Sequence, residues 1–462
     1  MRPSRPALFL FLFALLPTAE AMDLLQAYRL AQANDAEFAA ASAARDAGRE
    51  QMPQARAGLL PSLALSGESA WNEQEIDSGA TRVDRSYNSH RHALTLTQPL
   101  FRWQNLIAYA QGKTAVALAE ARFVEARQQL ILRVSGAYFE VLNALANLEA
   151  ARAQKLAIAQ QLEQARLNFE VGAATIVDAV EAESRHDLAE AQEIASENEL
   201  EIRREALRVM VGDMPETLAR LDARKSIEPP QPARMPPWVE AAQTHNIGVQ
   251  IAAHNADIAE KEIARARAGH YPTLDLVASG GKSRTQDGSG LSRPETEANS
   301  IGLQLNLPLF SGGGISSKTR EAAANHRAAL SLLEAARRNA ALSARQNFLG
   351  VVNGLAQIRA LEAALASSLT SLEHNKTGYE VGVRINIDVL NAEQQVFTTR
   401  RDLARAYHDT LLARLRLKAA VGALDENDII GINALLQLQE SAVGTREAET
   451  AAHPPAHFTD DG

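Results

Sequence analysis

The chain has no cysteine in its 462 residues, and aromatic residues make up only 5% of it. Without cysteine there can be no disulfide, no thiolate metal site and no thiol nucleophile. There is also no thiol on which a bacterial lipoprotein would carry its acyl group. So few aromatics are scant for a conventional compact core of this length, and long Ala-rich helices are the simpler explanation. Positive charge is not in excess either. The 47 Lys and Arg face 56 Asp and Glu, a net charge of −9 that argues against nucleic acid as a partner. With 22% charged residues the composition excludes a polytopic helical membrane protein. Beyond the N-terminus no apolar run reaches the roughly 18 residues that a spanning helix needs.

The N-terminus reads as a targeting segment. Arg2 and Arg5 precede an apolar stretch from Ala7 to Leu16, and Ala19-Glu20-Ala21 has the small-x-small form of a cleavage site. Residues 1–21 are therefore expected to be a signal peptide, because about ten apolar residues cannot cross a hydrocarbon core of ~30 Å.

What the chain does have is repetition. Leu60-Pro-Ser-Leu-Ala-Leu65 returns as Tyr271-Pro-Thr-Leu-Asp-Leu276, an offset of 211, and Gln98-Pro-Leu-Phe101 returns as Leu307-Pro-Leu-Phe310, an offset of 209. Val171-Gly172, Asp178 and Glu183 recur as Val381-Gly382, Asp388 and Glu393, an offset of 210. One register held over this distance means one structural unit written twice. The first repeat spans 22–223, with a strand pair at 61–99 and a helical hairpin at 103–212. The second spans 238–438, with a strand pair at 272–309 and a hairpin at 315–422. Between them, 224–237 is a Pro-rich linker, and the polar tail 439–462 is expected to be disordered.

Each repeat opens with a helical stretch, Leu24 to about Arg56 in the first. The strands follow, with alternation clearest from Ile301 to Leu309, where one face is purely aliphatic. Leu63, Leu65, Trp71, Leu94, Leu274 and Leu276 repeat the pattern, and the polar segments Asn72–Asn88 and Ser283–Asn299 read as loops. After each pair runs a segment of some 65 residues without proline, a rod of roughly 95 Å if helical. Its apolar residues recur at coiled-coil-like spacing, among them Phe123, Leu130, Val134 and Val141. Gly172 and Gly382 suit the positive φ that ends a helix and turns the chain back, and Asp178 and Asp388 then fall in the first turn of the returning helix.

Four strands with an aliphatic face match membrane-spanning β-strands. They cannot close a barrel, so a membrane assignment requires oligomerisation: two chains give a filled eight-stranded barrel, three a twelve-stranded channel. The alternative is a soluble β-domain packed on the helices. Gly312 to Thr319 resembles a nucleotide-binding P-loop but has Ser317 in place of its second glycine, and reads better as a tight strand-to-helix turn. His90 and His92 share a strand face, yet no third ligand accompanies them, and a polar loop end is the better reading. No enzyme, cofactor or metal site is expected.

At the second hairpin tip the residues become specific. Gly378-Tyr-Glu-Val-Gly-Val-Arg-Ile-Asn-Ile-Asp-Val-Leu-Asn-Ala-Glu393, with the duplicated Pro-Leu-Phe, resembles the TolC family of outer-membrane factors over about Met22 to Leu438. The resemblance implies a mostly helical α+β fold, assembled as a homotrimer with a twelve-stranded β-barrel in the Gram-negative outer membrane and an α-helical barrel in the periplasm. It also implies partners: a periplasmic adaptor and an inner-membrane transporter, either an ABC exporter or a proton-driven pump. The expected function is a channel-tunnel for proteins or small toxic molecules. By the same resemblance Asp178, Tyr379 and Arg384 form a periplasmic gate, while Asp388 and Asn391 occupy the two pore-entrance rings. Two positions depart from the family: Val177 replaces a threonine, and Asn391 leaves the second ring uncharged. A coiled-coil adaptor or a scaffold is the alternative, but adaptors lack duplicated hairpins each preceded by strands.

Overall fold

The computed structural model describes residues 21–437 except 78, 80–81, 173–174, 216, 222–225 and 288–294. Of the targeting segment only Ala21 falls within this range, and the tail 439–462 lies outside it. The first helical stretch is three helices, α1 (Leu24–Asn34), α2 (Ala36–Arg49) and α3 (Gln51–Ala57). Asp35 ends α1 and starts α2, its carboxylate accepting from the Phe38 amide, so the chain bends where continuous periodicity alone would run on.

Strands β1 (Ser62–Asp77) and β2 (Arg82–Phe101) form the first hairpin, and α4 (Trp103–Glu170) with α5 (Ile176–Val211) the first pair of rods. The short β3 (Arg220–Leu221), α6 (Met235–His245) and α7 (Ile247–Arg267) lead into the second repeat. There β4 (Thr273–Asp287) and β5 (Thr296–Asn306) precede the rods α8 (Gly314–Glu380) and α9 (Asn386–Ala420), followed by α10 (Glu426–Asn433) and β6 (Leu436–Gln437).

The large sheet is antiparallel in the order β1-β2-β4-β5, and β3 pairs with β6 in a second, two-stranded sheet. Cross-strand partners point to the same face. One face therefore stacks Leu63 with Leu96, Leu65 with Leu94, Leu276 with Leu303, and Leu274 with Leu305. Leu274 and Leu276 are half-buried and the other six lie exposed, Leu65 at 79% and Leu303 at 67%. The opposite face carries small and polar residues, Thr95 opposite Ser279 and Gln304 opposite Asp275. An aliphatic face that packs on nothing within the chain excludes the soluble β-domain.

Several strand-level readings need correction, and one is the loop Ser283–Asn299: β4 runs on to Asp287 and β5 begins at Thr296, which pairs with Ser283. Within the first segment read as a loop, Asn72–Asp77 and Arg82–Asn88 are strand, because β1 and β2 stay in register out to Asp77 and Arg82. Backbone ladder bonds hold this extension without any aliphatic alternation to mark it. His90 and His92 accordingly lie within β2, not at a loop end, opposite Arg284 and Lys282. At the other end β5 stops at Asn306, short of Leu307 and Leu309.

The core is concentrated where the helices meet midway along the molecule. Leu130, Ile131, Val134 and Tyr138 of α4 pack with Leu207 of α5, Leu411 and Leu415 of α9, and Met22, Leu24 and Tyr28 at the start of the chain. Tyr138 donates its hydroxyl to the carbonyls of Ala219 at 2.7 Å and Met22 at 3.1 Å, tying the N-terminus to this hub. Trp238, Phe348 and Val421 anchor a second cluster of α6, α8 and α9. Toward the hairpin tips the buried clusters shrink to Ile158–Ala189–Leu390 and Leu162–Ala165–Ala182. One helix, α8, contains an 18-residue window with mean hydropathy 1.2, yet only 17% of that window is buried. Leu332, Leu342 and Leu349 of this helix lie exposed.

Candidate functional site

The two hairpin tips are built alike and finished differently. Gly172 (φ 74°) and Gly382 (φ 76°) adopt the left-handed conformation that closes the outgoing helix, and nothing crowds either Cα. In the first tip Thr175 caps α5 in a reciprocal box with Asp178. The Asp178 carboxylate accepts from the Thr175 hydroxyl at 2.8 Å and from its amide at 3.0 Å. Those hydrogen bonds, the side-chain one first, hold its pKa below the usual carboxylate value. In the second tip the equivalent cap position is Ile385, which has no side-chain oxygen to offer. Asp388 instead pairs with Arg384 at 3.7 Å, one turn away on the same helix end. The Gly378 carbonyl accepts from the amides of Val383 and Arg384 at 2.8 and 3.0 Å. Arg384 also folds its stem over Gly378, where a Cβ would come within 2.7 Å of its Cγ.

Among the described residues, side-chain bonds join the tips within one chain at two points. Asn168 of α4 donates to the Tyr379 hydroxyl at 3.2 Å. Arg185 of α5 donates to Asn391 Oδ1 at 3.2 Å while pairing with Glu181 at 3.3 Å. The structure thus places Tyr379, Arg384, Asp388 and Asn391 on the second tip, with Asp178 exposed on the first. Among the described residues, Asp178 is bonded to neither Tyr379 nor Arg384. Asn168 and Arg185 were invisible to sequence reasoning, since a polar residue in the middle of a long helix looks like any other solvated position. Between α4, α5 and α9 lies a cleft of about 710 Å³ whose lining includes Gln154, Arg185, Gln192, Asn391 and Gln394. Ile158, Leu188, Leu390 and Phe397 line it beside these polar groups, so its walls are mixed.

Other candidate groups carry no chemistry. His186, Asp187 and Glu190 on α5 bring ligand atoms within 4.8 Å of one another, but Lys155 already sits 3.8 Å from Glu190. His90 and His92 face the cations Arg284 and Lys282 across the sheet, a setting that repels a metal ion. Gly312 (φ 58°) and Gly313 (φ 81°) turn the chain sharply into α8, and the P-loop-like run is that corner.

Comparison with known proteins agrees with this architecture. The family described as outer membrane efflux protein matches residues 27–213 and 238–423, one segment per repeat. The alkaline protease secretion protein AprF of Pseudomonas aeruginosa is 34% identical, covering 97% of this chain and 94% of that protein. Outer membrane protein TolC of Escherichia coli is 31% identical, covering 95% and 89%. Among solved structures, the outer membrane protein VceC of Vibrio cholerae superposes with a TM-score of 0.73 at 22% identity, covering 86% of this chain and 96% of that one. The fold, the duplication and the full-length similarity leave no room for an adaptor or an enzyme: the chain belongs to the TolC family of outer membrane efflux and secretion channels.

Proposed function

We propose that three copies of the chain form one duct, a twelve-stranded barrel in the outer membrane continued by a helical barrel in the periplasm. It takes proteins or small toxic molecules from an inner-membrane transporter, ABC or proton-driven, through a periplasmic adaptor to the exterior. The observation that carries this reading is the sheet: four strands, an exposed aliphatic face, a small polar face and two unpaired edges. Each unpaired backbone group in hydrocarbon costs several kcal/mol, so the edges must meet other copies. Eight strands would leave a lumen filled by side chains, whereas twelve leave room for transport. AprF is a protease secretion protein, which favours a protein cargo for this chain too.

The gate belongs to this proposal. Both Thr175 bonds to Asp178 go to Oδ2, which leaves Oδ1 for the Arg384 of a neighbouring copy. Charge-assisted bonds contribute about 1.5–3 kcal/mol each, weak enough for docking of a partner to break and, repeated three times, strong enough to hold the tips shut. The test is the double variant Tyr379→Phe with Arg384→Ser in planar bilayers. Trimer yield is expected to stay unchanged and single-channel conductance to rise several-fold. Wild-type conductance in an assembled trimer would reduce these residues to helix-end charges.

A further inference from the structure

The two hairpins of the sheet are copies of each other to the residue. In the first, Leu63 faces Leu96 and Ala64 faces Thr95. In the second, Leu274 faces Leu305 and Asp275 faces Gln304, the same positions displaced by the two offsets of the duplication. The joint of β2 with β4 therefore joins the second strand of one repeat to the first strand of the other. Resting on the trimeric reading above, we propose that the seam between chains, β5 of one copy against β1 of the next, repeats the β2–β4 register. Phe310 then faces Leu63 of the neighbouring copy, Leu307 faces its Leu65, Gln304 its Glu68, Leu303 its Ser69 and Ile301 its Trp71.

Three observations support this register over a slipped one. First, it keeps parity: Leu307, Leu303 and Ile301 meet the aliphatic face of β1, while Gln304 meets Glu68 on the polar face. A slip of one residue would turn every leucine of one edge into the lumen. Second, it explains where β5 stops. Residues 98–101, the counterparts of 307–310, have no partner in β1, whose ladder ends at Ser62–Thr97. Their strand pairing is with β4, through Gln98–Leu276, Pro99–Asp275 and, across a bulge, Phe101–Leu274, while the Gln98 side chain also donates to the Leu59 carbonyl at 3.0 Å. Leu100 and Phe101 are 52% and 40% exposed under this cover, whereas Leu309 and Phe310 are each 90% exposed. A neighbouring β1 in the same register supplies the missing cover. Third, like charges stay compensated. The register sets Glu297 beside Glu75, but each already has a cation in its own chain, Lys282 at 3.5 Å and Arg82.

The same transposition shows what the seam lacks. At the inner joint Arg102 grips Asp275 with two parallel bonds, 2.8 and 2.6 Å long, and Asp275 is 6% exposed. The counterparts of this pair are Ser311 and Ala64, so no such clasp can form between chains. Around the base of the barrel one clasped joint per chain, β2–β4, then alternates with one unclasped joint between chains.

The absence of native cysteine makes the register directly testable. Facing Cα atoms of antiparallel strands lie about 4.5–5.5 Å apart, within disulfide reach. Gln304→Cys with Glu68→Cys should yield covalent dimers and trimers on a denaturing non-reducing gel after oxidation of the outer-membrane protein. Gln304→Cys with Ser66→Cys or with Ala70→Cys, one rung away on either side, should crosslink at least several-fold less. Stronger crosslinking of a slipped pair overturns the register, as does failure of all three pairs in a protein that still migrates as a trimer on a mild gel. Absence of any trimer on the mild gel would instead count against the trimeric reading. Transplanting the clasp, Ala64→Asp with Ser311→Arg, should raise the temperature at which the trimer falls apart in SDS. An unchanged or lowered temperature would mean that these positions do not meet across the seam.

Discussion

His408 on α9 is buried against α4, its ring stacked on Phe139 at 5.3 Å and its Nδ1–H donated to Asn143 Oδ1 at 2.6 Å. Burial pushes its pKa down to about 4 from the ordinary 6.5. The folded protein therefore holds this imidazole neutral, and the unfolded chain binds the proton first. The stabilisation is complete above pH 6.5 and is lost as pH falls toward 4, on the order of 2 kcal/mol by pH 5. Thermal melting of the wild type should drop between pH 7.5 and pH 5, and His408→Gln should flatten that dependence. Asn391 presents a different lesson. Its resemblance-based place in the pore entrance treats it as a lost charge, yet Arg185 stands 3.2 Å away. Asn391→Asp alone should therefore change block by trivalent cations little, because the guanidinium neutralises the new carboxylate. Asn391→Asp with Arg185→Gln should strengthen the block markedly in a bilayer recording. Equal block by the two variants would place Arg185 outside the entrance field.

The strands were legible in the sequence only as far as lipid-like alternation reaches. Ile301, Leu303 and Leu305 announce β5 because every second residue is aliphatic, and the repeat carries the inference to the other three strands. The upper halves of β1 and β2 were not legible. Glu73, Gln74 and Glu75 opposite Ser86, Arg85 and Asp84 form a ladder through backbone bonds, and neither face carries an apolar stripe. Leu303→Arg, near the middle of the aliphatic band, should cost roughly 2–4 kcal/mol in insertion, while Gln304→Arg on the polar face should be tolerated. Comparable loss of outer-membrane trimer from both variants would remove the barrel assignment. The hairpin tips were legible through Val-Gly and the aspartate six residues after each glycine. Their different wiring was not, since it turns on a cap, Thr175 against Ile385, whose consequence is set by which oxygen is near which donor.

Across the molecule, packing is graded along the rods. The hub holds Tyr138, Leu207, Leu411 and Leu415 at or near zero exposure, whereas the tip clusters consist of three residues each. Local opening needs fewest contacts broken where the core is thinnest, so the tips form the low-stability end of each hairpin. Hydrogen exchange should be faster at the amides of Leu162–Ala165 and Ala179–Ala182 than at those of Leu130–Tyr138 by more than tenfold. Uniform protection along α4 would mean that the tips are held by contacts outside the chain, as a tightly shut trimer would provide.

The unpaired edges of β1 and β5 have a consequence for how much of the protein a cell can keep. A lone copy has no acceptable resting place: water meets its aliphatic face, and lipid meets its open backbone. Its folded state is then inseparable from mass action, because the stability of the ensemble depends on how many copies are present to find one another. Below some threshold of synthesis, chains should be lost to proteolysis faster than they assemble. The amount of trimer should therefore rise more steeply than in proportion to the number of copies made.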